Sequence, residues 1–167
     1  MHNELTQMDL KKMREELDYR RIQLRPQLLE EVKVARSFGD LSENFEYKAA
    51  KLELRRCDSR LRYLKRMIST AKVIETDGKE GVVGLYDKVT VWYEEDDEEE
   101  IISVVTTVRQ KAAQGFISKE SPLGKAVLGR KEGDRVEVKL SDTDSYFVVI
   151  RSIEKGTDDG SVPINQF

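Results

Sequence analysis

Cysteine, histidine, tryptophan and proline are all scarce in this chain of 167 residues. A single cysteine, Cys57, excludes an intramolecular disulfide and a zinc site built on thiolates. The only histidine, His2, stands near the start of the chain, so no imidazole cluster is available either. Any metal is therefore expected among oxygen ligands, which suits magnesium or another hard cation. No apolar run approaches the ~20 residues of a membrane-spanning helix. The chain also opens without the pattern of a signal peptide. A cytoplasmic location away from membranes is the expectation. Hydrophobic residues reach only 38% while charged ones make up 37%, which suits a long element with a narrow apolar seam better than a compact ball.

The net charge of −3 conceals an asymmetry. Residues 1–75 carry 17 Lys/Arg against 13 Asp/Glu, a net of +4, whereas residues 76–167 carry 12 against 19, a net of −7. Ordinary surface scatter and a basic half that works near nucleic acid or an acidic channel both fit this count.

The clearest periodicity runs through Tyr47, Ala50, Leu54, Cys57, Leu61, Leu64, Ile68 and Ala71. The spacing alternates between three and four residues, the a/d seam of a coiled coil, with Lys and Arg on the other faces. Leu10, Met13, Leu17, Leu24, Leu28, Val32 and Ala35 form a second seam, interrupted near Arg20 and Arg21. Pro26 cannot donate to the Ile22 carbonyl, so a kink is expected there. Each seam needs a partner and the connection is short, which predicts an antiparallel helical hairpin over residues 1–77 that closes on itself as a monomer. Gly39 is placed to end the first helix as a left-handed C′ residue.

From about Gly81 the pattern changes. "DKVTVWYEE", "EEEIISVVTTV", "DRVEVKL" and "YFVVIRSI" read as strands, and the acidic run Glu94 to Glu100 as a solvated loop. In "SPLGKAVLGRKEGD", Ser121 can cap a short helix, Pro122 suits its first position and Gly129 its C′ end. Strands with one short helix over residues 78–155 predict a small α+β domain. The tail 156–167 lacks periodicity and is expected to be mobile.

Between the two helical patterns lies "RSFGDLSENFEYKAAK", with Asp40, Glu43 and Glu46 within seven residues. Two readings of the first two acids are open. Asp-x-x-Glu is the pattern of a capping box, with Asp40 as N-cap and Glu43 at N3, and negative charge is favourable at a helix N-terminus. Alternatively, a carboxylate pair at the end of a long hairpin reaches furthest into any cavity the hairpin enters. Two carboxylates fill only part of magnesium's six-oxygen shell, so a partner would have to supply further acids.

"GDLSENFEYKAAK" resembles the tip motif of the bacterial Gre transcript cleavage factor family. The similarity continues in "MREELDYRRIQLRPQLLEEVKVAR", "ISTAKVIE" and "ISKESPLGKAVLGRKEGDRVEV". The resemblance implies an N-terminal coiled coil followed by an FKBP-like α+β domain, and insertion into the secondary channel of bacterial RNA polymerase. It implies that Asp40 and Glu43 carry the activity, helping to hold a magnesium ion shared with the polymerase active centre. The polymerase then cuts its own backtracked nascent RNA, so the chain is a stimulator and not itself an enzyme.

Asn44, Tyr47, Arg36 and Lys48 fall in or beside the same motif and are candidate contacts to the RNA or the active centre, with Tyr47 also suited to the seam. Ser42 suits a capping role. Arg55, Arg56, Arg60 and Arg62 form either a phosphate-facing strip or a solvated flank. Ser121, Pro122 and Leu123 are candidates for docking on the channel rim, an exposed Leu123 being the informative feature, with helix capping as the plainer role. Phe45 stands where the family commonly has a small residue. A channel binder that inhibits or modulates polymerase without promoting cleavage is the alternative reading.

Overall fold

The computed structural model describes residues 3–40, 43–76 and 78–166. They fall into two compact units, residues 10–71 on the one hand and residues 3–9 with 72–166 on the other. Among the described residues no helix is long and apolar enough to cross a membrane.

The first unit is a helical hairpin. Helix α1 (Gln7–Tyr19) runs through a π-helical turn at Arg20–Leu24 into α2 (Arg25–Arg36), and α3 (Phe45–Thr70) returns alongside. Every position of both predicted seams is buried or half-buried. Their shared core holds Leu28, Cys57 and Leu61, with Leu17, Leu24 and Leu54 packed around them. The irregularity expected at Pro26 is realised one turn earlier. Arg25 donates its amide to the Arg20 carbonyl, a wider i→i+5 register that accommodates the missing proline donor.

Ion pairs fix the hairpin's register. Glu16 accepts two hydrogen bonds from the buried Arg60, at 2.8 and 3.0 Å, and one from Arg20 at 2.8 Å. Burial works to raise the Glu16 carboxyl, but Arg60 and Arg20 overrule it and hold it below its ordinary value. Arg25 bonds Asp58 at 2.7 Å across the two helices.

In the second unit, β1 (Glu4–Leu5) pairs in parallel with β2 (Lys72–Val73), an element too short to leave a sequence signal. The main sheet has five strands in the order β5-β4-β3-β7-β6. These are β3 (Lys88–Tyr93), β4 (Glu98–Val105), β5 (Phe116–Ser118), β6 (Arg135–Lys139) and β7 (Ser145–Glu154). All neighbours are antiparallel except β4 and β5. Alternation places Val89, Val91, Val136, Val138, Val148 and Ile150 on the inner face, where α4 (Pro122–Val127) covers them with Leu123 and Val127. The architecture is α+β, as expected.

Two expectations about this unit are corrected. The acidic run is not a loop throughout: only residues 94–97 turn, and Glu98 to Glu100 already pair with Tyr93, Trp92 and Val91. Trp92 donates its indole N–H to Asp97 at 2.9 Å, which tightens that turn. The tail is likewise packed where mobility was expected. Val162 and Ile164 are buried, and the fully buried Arg109 holds the tail through Asp158 and through the Val162 carbonyl at 2.9 Å. Arg109 also reaches Asp9 at 3.4 Å and lies 4.8 Å from the centre of the Tyr86 ring. Asp9 accepts from the Thr6 amide and the Thr106 hydroxyl at 2.9 and 2.8 Å. One guanidinium therefore ties the N-terminal segment, the sheet and the tail together. A buried charge must be compensated this way, a requirement invisible in the tail's own composition.

Candidate functional site

The turn of the hairpin is built from its two helix ends. Helix α2 stops at Arg36, with Ser37 as its C-cap, and Phe38 donates to the Ala35 carbonyl at 3.2 Å. Gly39 therefore lies beyond the C′ position assigned to it from sequence. Its φ of +132° is still a conformation that L side chains rarely adopt, and an added Cβ would meet nothing within 4 Å. The glycine is needed there for backbone conformation rather than for space.

Helix α3 begins at Phe45 and its N-cap is Asn44, whose Oδ1 accepts from the Tyr47 amide at 3.0 Å. The capping box read from Asp40 and Glu43 is thereby overturned, since the helix starts later than that pattern requires. Asp40 and Glu43 both precede the cap and are exposed. Ser42, with its proposed capping role, lies outside the described residues. Asn44 also donates from Nδ2 to the Ala35 carbonyl at 2.7 Å, so one half-buried amide fastens the end of α2 to the start of α3.

Asp40, Glu43 and Glu46 line one open depression of about 660 Å³ together with Phe38, Asn44 and Phe45. Phe38 and Phe45 are 68% and 81% exposed, the largest exposures of the large hydrophobic residues described in the hairpin. Glu46 lies in the first turn of α3, where the helix dipole favours it. Phe38 drew no attention from sequence, because it falls off the seam that runs 28, 32, 35 and next reaches Gly39.

Of the other candidate contacts, Asn44 is committed to the two hydrogen bonds described above. Tyr47 is buried at 8% exposure, as its place in the seam suggests. Its hydroxyl accepts from Arg36 at 3.4 Å, and the Arg36 bond with Lys51 alongside holds the phenol below its ordinary value. Arg36 and Lys48 are exposed and rest over aromatic rings, Arg36 5.5 Å from the centre of Tyr47 and Lys48 5.7 Å from that of Phe45. Both remain open to a phosphate. The strip on α3 is less uniform. Arg60 is buried against Glu16, Arg56 pairs with Glu53 at 2.7 Å and Arg62 bonds Ser59 at 3.0 Å, while Arg55 is exposed. Arg60 is thus removed from any phosphate-facing strip.

The "SPLG" corner is a capped helix start. Ser121 accepts from the Gly124 amide at 3.0 Å and Pro122 occupies the first turn. A Cβ on Gly124 would lie 2.0 Å from the Ser118 carbonyl oxygen, so only glycine allows this approach. Gly129 has a φ of +82° just past the C-cap, as read from sequence. Leu123 does not project: it is 9% exposed and belongs to the core, because the first turn of α4 faces the sheet. Of the three docking candidates only Pro122 is exposed, and Ser121 is half-buried.

For magnesium, the donor chemistry at the tip fits in kind but not in number. Carboxylate oxygens are the right hard ligands, but Asp40 and Glu43 supply too few of the six a magnesium takes. Among the described residues no group of three or more His, Cys, Asp or Glu side chains is gathered in a way that could hold a metal ion. The pair can be part of a site only if other oxygens come from elsewhere.

Comparison with known proteins gives two family matches. Residues 3–73 match the model "Transcription elongation factor, N-terminal" and residues 78–155 match "Transcription elongation factor, GreA/GreB, C-term". Transcription elongation factor GreA of Bacillus licheniformis is 42% identical over 148 residues, covering 88% of this chain and 94% of that protein. GreA of Bacillus subtilis is 40% identical over 140 residues, covering 84% and 89%. GreA of Clostridium acetobutylicum is 39% identical over 147 residues, covering 87% and 93%.

Proposed function

This chain belongs to the GreA/GreB family of transcription elongation factors, and from that premise we propose that its hairpin tip enters the secondary channel of bacterial RNA polymerase and stimulates cleavage of backtracked RNA. The polymerase is the catalyst and this chain, acting as a monomer, completes its site. The observation that carries the reading is the capping of α3 by Asn44, which leaves Asp40 and Glu43 exposed ahead of the helix.

Each tip residue then has a physical task. Asn44 fixes the turn by bonding both helix ends, which limits the entropy lost when the carboxylates are placed. Asp40 and Glu43 present hard oxygen donors, and with further acids of the polymerase they hold a magnesium ion. Such an ion, when bound, supplies polarisation of a phosphodiester and a more acidic water. Arg36 and Lys48 sit close by as exposed cations and offset the repulsion between RNA phosphates and the acidic tip.

The test is RNA cleavage in a stalled, backtracked complex of the cognate polymerase at saturating factor. Wild-type protein is expected to speed release of 3′ fragments, whereas Asp40→Asn and Glu43→Gln bind equally well and lose at least about 100-fold of the stimulation, the scale of a lost electrostatic contact in a transition state. Binding by the wild type without faster cleavage would instead assign the chain as a channel binder that inhibits or modulates polymerase.

A further inference from the structure

Behind the tip, on one side of the hairpin, α2 and α3 leave an open groove of about 740 Å³. Its floor is apolar. Val34 and Phe38 come from the α2 side, and Ala49 faces them from α3 with a side chain too small to fill the space. Val34 and Phe38 are 46% and 68% exposed, and Leu52 on the lining is 45% exposed. The charged residues on the lining are all of one sign: Glu30, Glu31, Glu46 and Glu53, with no lysine or arginine.

That rim runs against the surrounding composition. Residues 10–71 carry 16 Lys/Arg and 10 Asp/Glu, a net of +6, yet four of those ten acids border this one groove. Arg56 offsets Glu53, and Glu31 accepts from Gln27 at 3.2 Å, which leaves the rim predominantly negative.

Charge selects among occupants. A nucleic-acid backbone is repelled by four carboxylates. A second copy of this groove would set its acids against an identical set, and like charges brought together at an interface cost several kcal/mol. An amphipathic helix with a large apolar side chain flanked by Lys or Arg satisfies floor and rim together, the helix-in-groove mode of recognition. We propose that this groove docks a basic, amphipathic helical segment of the polymerase, anchoring the hairpin behind its tip. The inference rests on the reading that the tip enters the polymerase, and it adds a second contact that is apolar and independent of the tip acids.

The test uses the full chain bound to purified cognate polymerase in a backtracked complex, with a photoreactive phenylalanine analogue in place of Leu52, or in place of Phe45 as a tip control. Crosslinking from position 52 to a Lys/Arg-rich polymerase peptide supports the proposal. Crosslinking from position 52 to RNA, or to nothing while position 45 crosslinks, overturns it and leaves the tip reading intact. No crosslink from either position overturns both. In parallel, Glu30→Lys with Glu31→Lys, two exposed helical positions, is expected to weaken binding about 10-fold at low salt and flatten its salt dependence, with cleavage at saturation unchanged. Unchanged affinity and salt dependence would overturn the groove assignment.

Discussion

The side-chain amide of Asn44 spans the two helices it joins, giving a proton to the Ala35 carbonyl at 2.7 Å while accepting one from the Tyr47 amide at 3.0 Å. The two bonds require a donor and an acceptor on one short side chain, which an amide supplies and a carboxylate does not. Asn44→Asp keeps the cap and loses the cross-turn bond; Asn44→Ala loses both. We expect a stability loss of about 1 kcal/mol for aspartate and about 2 kcal/mol for alanine, read from urea unfolding followed by circular dichroism. Equal losses would mean that the cap bond from the Tyr47 amide contributes nothing, and no loss for aspartate that the bond to Ala35 contributes nothing.

Because the cap is Asn44, Glu43 ahead of it should be dispensable for folding. Glu43→Gln is expected to change unfolding free energy by no more than about 0.5 kcal/mol, as for an exposed surface position, read from urea unfolding. A loss above about 1 kcal/mol would restore a capping role.

How far the sequence reveals this molecule depends on the range of the interactions involved. The seams of α2 and α3 were legible because burial repeats every three or four residues, and no tertiary knowledge is needed to count it. The exact start of α3 was not, because Asp40, Ser42 and Asn44 are all competent caps and the choice between them falls to the Ala35 carbonyl, nine positions away. Strand β5 pairs in parallel with β4 over three residues and carries no alternation long enough to read. The order of the tail was hidden for a related reason: its anchor, Arg109, lies 49 residues before Asp158. At the candidate site the acids and Arg36 were visible as residue types, but Phe38 and the acid-rimmed groove exist only once two helices lie side by side.

The burial of Leu123 separates two roles for the "SPLG" corner. Leu123→Ala removes a core side chain and is expected to cost about 2–4 kcal/mol. Pro122→Ala, at an exposed position, should leave stability nearly unchanged, so any loss of polymerase binding in that variant reports docking directly. Thermal unfolding of the two variants distinguishes them, and a Leu123→Ala protein of wild-type stability would contradict its place in the core.

Glu16 makes the hairpin sensitive to acid. Its folded-state carboxyl titrates below the ordinary value of 4.5, so the folded protein binds fewer protons than the unfolded chain in that range. The contribution is complete above about pH 5 and fades as pH falls through the lower folded value. Wild type should therefore lose stability more steeply than Glu16→Gln as pH falls below about 5, in denaturant titrations at fixed salt. Arg60→Ala leaves the carboxylate with Arg20 as its cation and removes two charged hydrogen bonds, an expected cost of about 2 kcal/mol at pH 7 that shrinks in acid as Glu16 is neutralised.

Arg109 gives the last prediction, because removing it frees several partners at once. Arg109→Met keeps much of the volume but leaves Asp9 and Asp158 buried without their cation, and the Val162 carbonyl without its donor. Loss of about 3 kcal/mol is expected, with the tail detaching before the sheet unfolds. Hydrogen exchange should show it: amides of residues 156–166 lose protection in the variant while those of β3 and β7 keep theirs. Adding Asp9→Asn and Asp158→Asn to Arg109→Met removes the stranded charges, and should recover part of the stability but not the tail's protection, since the guanidinium that joined the segments is still gone.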